Sequence, residues 1–246
     1  AAARMASAAH GRTLIEMGSR RTHEVAAVAA ARAAYLAGFA ATSNLKAGQR
    51  YGIPTTGTSA HAFTLLHETE AQAFASQVAA LGAETTLLVD TYDITAGITT
   101  AVRVAGPGLG AIRIDSGDLG VLARAAREQL DSLGATGTRI VLSGDLDEHA
   151  IAALRGDPVD VFGVGTSVVT GSGYPTANMV YKLVEVDGQP VAKRSPQKQT
   201  TGGRKSVLRR HRASGTATEE VVHRVSGKLP PAAPGDRTIP GALMRS

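Results

Sequence analysis

Seven polar clusters follow short apolar or β-branched runs between residues 14 and 170: Gly18-Ser19-Arg20-Arg21, Ser43-Asn44, Gly57-Thr58-Ser59-Ala60-His61, Asp90-Thr91-Tyr92-Asp93, Asp115-Ser116-Gly117-Asp118, Ser143-Gly144-Asp145 and Gly163-Val164-Gly165-Thr166-Ser167. Their residue types point to anion chemistry. Arg20, Arg21 and Arg113 supply guanidinium forks for a carboxylate or phosphate. The glycine turn before Thr166, Ser167 and Thr170 offers backbone N–H and hydroxyl donors suited to a phosphate. Asp115 and Asp118 suit Mg²⁺ or ribose hydroxyls, and His61 suits a base or a phosphoryl acceptor. A phosphorylated sugar bound with Mg²⁺ fits all of these parts. Each cluster alone also has a plainer reading: Asp115 to Asp118 as a helix cap, Gly163–Ser167 as a tight turn, His61 as a structural histidine. Their joint placement favours the chemical one.

That placement depends on the elements between them. Residues 12–170 alternate strand-like and amphipathic helical runs, which predicts a parallel α/β sheet or barrel. Strands are expected at Leu14–Glu16, Thr55–Gly57, Thr86–Asp90, Ala111–Asp115, Arg139–Ser143 and Asp160–Gly163, with a weaker one near Ala40–Ser43. Helices are expected at Glu70–Leu81, Leu119–Leu133 and Asp147–Arg155, each followed by a glycine stop. In such an array the carboxyl ends of the strands share one rim, where these folds build their sites. Beyond residue 175 the period becomes two. A hairpin of Met179–Val186 and Val191–Arg194 about the turn Asp187-Gly188-Gln189-Pro190 is expected, then a strand at Glu219–Val225. Ser195–Lys205 is expected as a mobile loop, and Leu229–Pro240 holds too many prolines and glycines for regular structure. The expected division is a catalytic region over 1–174 and a β-rich appendage with a basic loop and tail over 175–246.

Composition narrows the chemistry further. The chain has 246 residues and no cysteine, which removes disulfides, thiolate catalysis and thiolate metal sites together. No apolar run approaches the roughly 18 residues of a membrane span. Charge is uneven: residues 1–190 carry 14 Lys and Arg against 18 Asp and Glu, residues 191–246 carry 12 against 3. The basic stretch Arg209-Arg210-His211-Arg212 reads as a solvated face rather than a nucleic-acid site, since aromatic stacking partners are missing there. Ala1-Ala2-Ala3-Arg4-Met5 resembles the interior of an alanine-rich helix, and the expectation is that an N-terminal domain precedes it.

The clusters, taken in order with Thr22-His23-Glu24, Ala41-Thr42, Ala62-Phe63, Leu119 and Val168-Val169-Thr170, resemble the nicotinate phosphoribosyltransferase family over about residues 10–212. The resemblance implies an irregular (βα) barrel of the type II phosphoribosyltransferase kind with a small β-rich C-terminal part. It implies transfer of phosphoribosyl from phosphoribosyl pyrophosphate to nicotinate, coupled to ATP hydrolysis, with Mg²⁺ carried by substrate phosphates. His61 matches the histidine that ATP phosphorylates, and Asp90 the acid that orients it. Arg20 and Arg113 match the nicotinate-pocket arginines, with Asn44 near the pyridine ring. Asp115, Gly144 and the Gly163–Thr166 turn match ribose and phosphate contacts, and Arg21, Ser116, Gly117, Asp118, Ser143 and Ser167 lie beside them as further substrate-binding candidates. The lysines of residues 193–205 match phosphate-binding lysines more loosely. A cytoplasmic homodimer is implied, in which the partner completes the nicotinate site. Met17 stands where many relatives carry an aromatic.

Two other classes remain at this point. An aldolase or epimerase barrel would need a Schiff-base lysine or a metal-binding histidine set at strand ends, and Lys46, outside any strand end, is the only lysine before residue 182. An inactive fragment with a basic phosphate- or nucleic-acid-binding tail would draw on the terminal charge.

Overall fold

The computed structural model of the chain describes residues 1–195 and 199–240. Its centre is a parallel sheet of β1 (Thr13–Glu16), β2 (Ala41–Thr42), β3 (Thr86–Leu88), β4 (Ala111–Ile114), β5 (Arg139–Leu142) and β6 (Val161–Val164), in the order β2-β1-β6-β5-β4-β3. Because β6 returns to pair with β1, consecutive strands are neighbours around a curled half-barrel. One seam stays open, between β3 and the segment after β2. That segment was expected to hold a strand at Thr55–Gly57. It makes a single parallel bridge instead, Thr55 to Thr42, flanked by Thr42 N–H to Pro54 O and Thr56 N–H to Thr42 O at 3.0 Å each. Pro54 lacks an N–H to extend the ladder, and Gly57 brings no side chain to pack.

Strand alternation gives the sheet two faces. Ile112, Ile114, Ile140, Leu142, Phe162 and Val164 are fully buried and belong to the main apolar core. The opposite face is a narrow cluster of Ala111, Val141, Val161 and Ile15, and Arg113 shares its parity on β4.

The helices are α1 (Ala2–Ala8), α2 (Glu24–Leu36), α3 (Leu45–Tyr51), α4 (His61–Leu65), α5 (Glu70–Leu81), α6 (Ile94–Ala105), α7 (Leu119–Ser132), α8 (Glu148–Ala153) and α9 (Thr166–Thr170). Side-chain oxygens start several of them. Asn44, Asp93, Asp118 and Asp147 accept from first-turn N–H groups of α3, α6, α7 and α8, and Thr69 with Gln72 forms a reciprocal capping box on α5. The expected helix over Asp147–Arg155 tightens to a 3-10 turn at Leu154–Gly156. No helix among the described residues is long and apolar enough to cross a membrane.

The chain forms two compact units, Ala1–Tyr181 with Lys193–Gln199, and Lys182–Ala192 with Thr200–Ser246. In the second, β7 (Glu185–Val186) and β8 (Gln189–Pro190) pair about Asp187 and Gly188, whose φ values of 48° and 78° suit a tight hairpin turn. The hairpin is far shorter than expected, since Pro190 has no N–H and Lys193 already belongs to the first unit.

The rest of the second unit is an antiparallel sheet of β9 (Lys205–His211), β10 (Ala217–Arg224) and β11 (Arg237–Pro240), ordered β10-β9-β11. Here β11 corrects the expectation of no regular structure: its proline ends an edge strand, where a missing donor is tolerated. Arg209, Arg210 and His211 of the basic stretch lie in β9 and Arg212 follows it, with Arg209 on Glu220 and Arg210 on Glu219, so two of its charges are paired. Of the loop expected at Ser195–Lys205, residues 196–198 lie outside the described residues.

Helix α6 sits so close to the chain beyond β3 that a Cβ on Gly97 would lie 2.4 Å from the carbonyl oxygen of Val89. Gly97→Ala, which in an open helix stabilises by about 0.5–1 kcal/mol, is expected to destabilise by about 1–3 kcal/mol here. Urea unfolding midpoints of the two proteins check the sign.

Candidate active site

All six strands run parallel, so their carboxyl ends and the residues after them form one rim. Ladder bonds continue past the strand ends and hold the rim residues in register: Met17 N–H donates to Val164 O at 2.7 Å, Ser43 N–H to Glu16 O at 2.8 Å, Val89 N–H to Arg113 O at 3.1 Å and Ser143 N–H to Ile114 O at 3.0 Å. Glu16 braces the rim from within. It is fully buried at the end of β1 and accepts from Gly18 N–H and the Thr42 hydroxyl, both at 2.5 Å. Burial raises its pKa, and those two hydrogen bonds pull it back. Gly18 is required beside it, because a Cβ there would meet Val169 and lie 2.9 Å from the carbonyl of Gly165.

Arg113 is the hub of one half of the site. Its Nε donates to Ser143 Oγ at 2.7 Å, Nη1 to Thr58 Oγ1 at 2.6 Å and Nη2 to Asp115 Oδ1 at 2.8 Å. Ser143 Oγ also donates to Asp115 Oδ1 at 2.6 Å. Gly144 follows with φ of 123°, and a Cβ on it would lie 2.6 Å from Asp115 O, so the turn after β5 needs glycine.

Asp90 is the hub of the other half, with no solvent exposure. Its Oδ2 accepts from Ser116 Oγ at 2.5 Å and from Lys193 Nζ at 3.0 Å, while Oδ1 has no hydrogen-bond partner. Ser116 Oγ reaches Ser195 Oγ at 3.3 Å. The segment carrying Lys193 and Ser195 is held to the rim by Arg194 N–H, which donates to Thr91 O at 3.0 Å.

His61, first residue of α4, joins the halves across the open seam. Its Nδ1 lies 3.0 Å from Thr91 Oγ1 and its Nε2 lies 2.8 Å from Lys193 Nζ. Nε2 is 3.7 Å from Asp90 Oδ1 and 4.0 Å from Asp115 Oδ2. Asp90, expected to orient this ring, makes no hydrogen bond to it. The ring's neighbours are Thr91, a member of the Asp90 cluster given no role of its own, and Lys193, which falls in the segment matched only loosely to phosphate-binding lysines. Lys193 also corrects the count that left no lysine for the strand ends, because it arrives from a later segment.

The other candidates divide. Ser116 is inside the Asp90 group, with Gly117 at the turn behind it. Arg20 makes no side-chain hydrogen bond among the described residues. Desolvation chiefly, then Arg21, lowers its pKa, while Asp115 and Asp145 act in the opposite sense, so it senses the same rim. Arg21 instead donates to Met179 O at 3.2 Å. Asn44 and Asp118 are occupied as helix caps, and Asn44 also donates to Ser19 Oγ at 3.0 Å. Gly163 lies inside β6 next to Met17, Gly165 caps α9, and Thr166 and Ser167 form its first turn.

An open α/β barrel whose rim gathers guanidinium groups, buried carboxylates and a histidine matches the fold of solved nicotinate-handling enzymes. The nicotinate phosphoribosyltransferase of Porphyromonas gingivalis superposes with a TM-score of 0.70 at 20% identity, over 81% of this chain and 58% of that one. The nicotinate-nucleotide pyrophosphorylase of Pyrococcus furiosus superposes with a TM-score of 0.65 at 27% identity, over 98% of this chain and 61% of that one. The profile of the nicotinate phosphoribosyltransferase (NAPRTase) family matches residues 13–224, and the chain belongs to that family. It is 67% identical to nicotinate phosphoribosyltransferase pncB1 of Mycobacterium tuberculosis, over 100% of this chain and 56% of that protein. It is 43% identical to the Bacillus subtilis nicotinate phosphoribosyltransferase, over 85% and 45%. The chain thus spans about half the length of these curated relatives.

Behind Asp90 the first turn of α5 places Glu70, whose Oε1 is buried without a partner. Desolvation first, then Asp90 and Asp93, push its pKa from 4.5 to about 7. A carboxyl with a raised folded pKa keeps its full contribution below the unfolded value and loses it as pH rises through the folded one. Stability is therefore expected to fall between about pH 4.5 and pH 7 by on the order of 1–2 kcal/mol, and Glu70→Gln is expected to flatten that fall. Urea midpoints across this pH range check it.

Proposed function

We propose that this chain carries the site at which phosphoribosyl is transferred from phosphoribosyl pyrophosphate to nicotinate, giving nicotinate mononucleotide and pyrophosphate, with ATP hydrolysis coupled through His61. The observation that carries the reading is the position of His61 Nε2, within 4.0 Å of Asp115 and 3.7 Å of Asp90 on one rim. Family membership, with relatives named for this activity, supports it. The protein is read as cytoplasmic and as working in a homodimer.

The chemistry divides by residue. Nicotinate's ring nitrogen attacks ribose C1 as the pyrophosphate oxygen leaves, through an oxocarbenium-like state, so positioning and charge stabilisation dominate. Asp115, held by Arg113 and Ser143, faces the ribose hydroxyls. The glycine turn Gly163–Thr166 takes the 5′-phosphate. Arg20, with its donors uncommitted, pairs with the nicotinate carboxylate beside Arg113, whose three nitrogens already position Asp115, Ser143 and Thr58. No group of three or more His, Asp or Glu among the described residues is arranged to hold a metal. Mg²⁺ is read as an ion carried in by the diphosphate oxygens, where it would neutralise the leaving group.

Two outcomes are expected of a preparation containing this chain. Radiolabelled ATP deposits an acid-labile, base-stable phosphoryl label that disappears in His61→Ala; equal labelling of both removes His61 as the acceptor. Nicotinamide, which lacks the carboxylate, is used with kcat/KM on the order of 10–100-fold below nicotinate, and Arg20→Gln narrows that gap. Steady-state assays with both substrates check it.

A further inference from the structure

Lys193 touches the reactive nitrogen of His61, and this contact carries more than proximity. An ammonium has three donors and no acceptor. At 2.8 Å from Lys193 Nζ, His61 Nε2 must therefore receive that hydrogen bond on its lone pair. The ring's proton then sits on Nδ1, where Thr91 Oγ1 accepts it at 3.0 Å. Lys193 is itself fixed, since Asp90 Oδ2 at 3.0 Å and Ser116 Oγ at 3.3 Å hold the same ammonium and its side chain is 4% exposed.

We infer that Lys193 is a positioning residue that sets the tautomer of His61, keeping Nε2 unprotonated as the nucleophile and covering it until a phosphoryl donor arrives. The phosphoryl step rests on the reading of His61 as phosphoryl acceptor; the tautomer does not. In that step the Nε2 lone pair forms the N–P bond while the bond from the γ-phosphorus to the β,γ-bridging oxygen breaks, and ADP leaves with that electron pair. Nδ1 keeps its proton, so the ring becomes an imidazolium facing Asp90 Oδ1 and Asp115 Oδ2 at the 3.7 and 4.0 Å already present. Lys193 exchanges its bond to Nε2 for one to a transferred phosphoryl oxygen and retains Asp90 and Ser116.

Removing the ammonium should reverse the tautomer. With Lys193→Met, Nε2–H gains two carboxylate oxygens to donate to, and Thr91 can donate to Nδ1 in place of accepting. The test is ¹⁵N-edited NMR of the histidine rings in the 246-residue chain at mildly alkaline pH, with His61 assigned by its loss in His61→Gln. The wild type is expected to show a pyridine-like Nε2 and a pyrrole-like Nδ1. Lys193→Met is expected to interchange them, and Lys193→Arg, which keeps a cationic donor, to preserve the wild-type pattern. A pyrrole-like Nε2 in the wild type overturns the inference without any variant at 193, so poor folding of Lys193→Met leaves it decidable. An unchanged spectrum in a folded Lys193→Met overturns it as well. In the labelling arm, the rate of phosphoryl incorporation from ATP in a preparation containing this chain is expected to fall on the order of 100-fold in Lys193→Met. Absence of label in the wild type defeats the reading of His61 as acceptor, and with it the phosphoryl step, while the tautomer is still judged by NMR. Equal labelling of wild type and Lys193→Met defeats the role given to Lys193 in transfer.

Discussion

A carboxylate with no solvent exposure sits at the centre of the rim, and its charge has to be met. Leaving such a group unpaired costs several kcal/mol. Asp90 is met by Ser116 from the β4 to α7 turn and by Lys193 from a segment more than 100 residues later. Much of the site depends on that pairing. Lys193 brings Ser195 against Ser116, Arg194 ties its backbone to Thr91, and the same ammonium lands on His61. The seam between Thr55 and β3, where the sheet makes no backbone ladder, is crossed by side chains instead: His61 to Thr91, and Arg113 to Thr58.

The two carboxylates of the site have different surroundings. Asp115 is partly exposed and accepts from a guanidinium and a hydroxyl on one oxygen, which suits contact with a polar substrate. Asp90 is deeper, and its Oδ1 stays without a hydrogen bond, 3.7 Å from the histidine. That oxygen is suited to stabilise positive charge developing on the ring rather than to fix the ring at rest. Glu70 behind it adds a third acid whose burial favours the protonated form, which limits the negative charge accumulated around Asp90.

The strands that carry the site were legible because their physics is local. Alternation, apolar helix faces and glycine stops placed β1 and β3 to β6 and the start of α5 and α7 within a residue or two, and parallel topology then put the seven clusters on one rim. Family motifs in the clusters identified the family outright. The features that escaped lack a local signal. Lys193 was expected in a hairpin strand and only loosely matched to phosphate-binding lysines, and its contacts with His61, Asp90 and Ser116 span 77 to 132 residues. Thr91 was inside a recognised cluster but was overshadowed by its acidic neighbours. Strand β11 was hidden by prolines that an edge position tolerates, and the Thr55 strand shrank to one bridge because Pro54 cannot donate. Asp118 and Asn44 show the converse: a polar residue at a strand's carboxyl end also satisfies helix N–H groups, and sequence alone does not separate the two uses.

The dependence of the site on the buried pair is measured most directly by a double-mutant cycle on stability, with Asp90→Asn, Lys193→Met and the two combined, followed by urea unfolding. Each single change leaves a buried group without its counterpart and is expected to cost about 3 kcal/mol or more, while the double variant recovers much of that loss, giving a coupling on the order of 2–3 kcal/mol. Additive losses with no coupling would contradict the pair's central place and leave Lys193 as one contact among many.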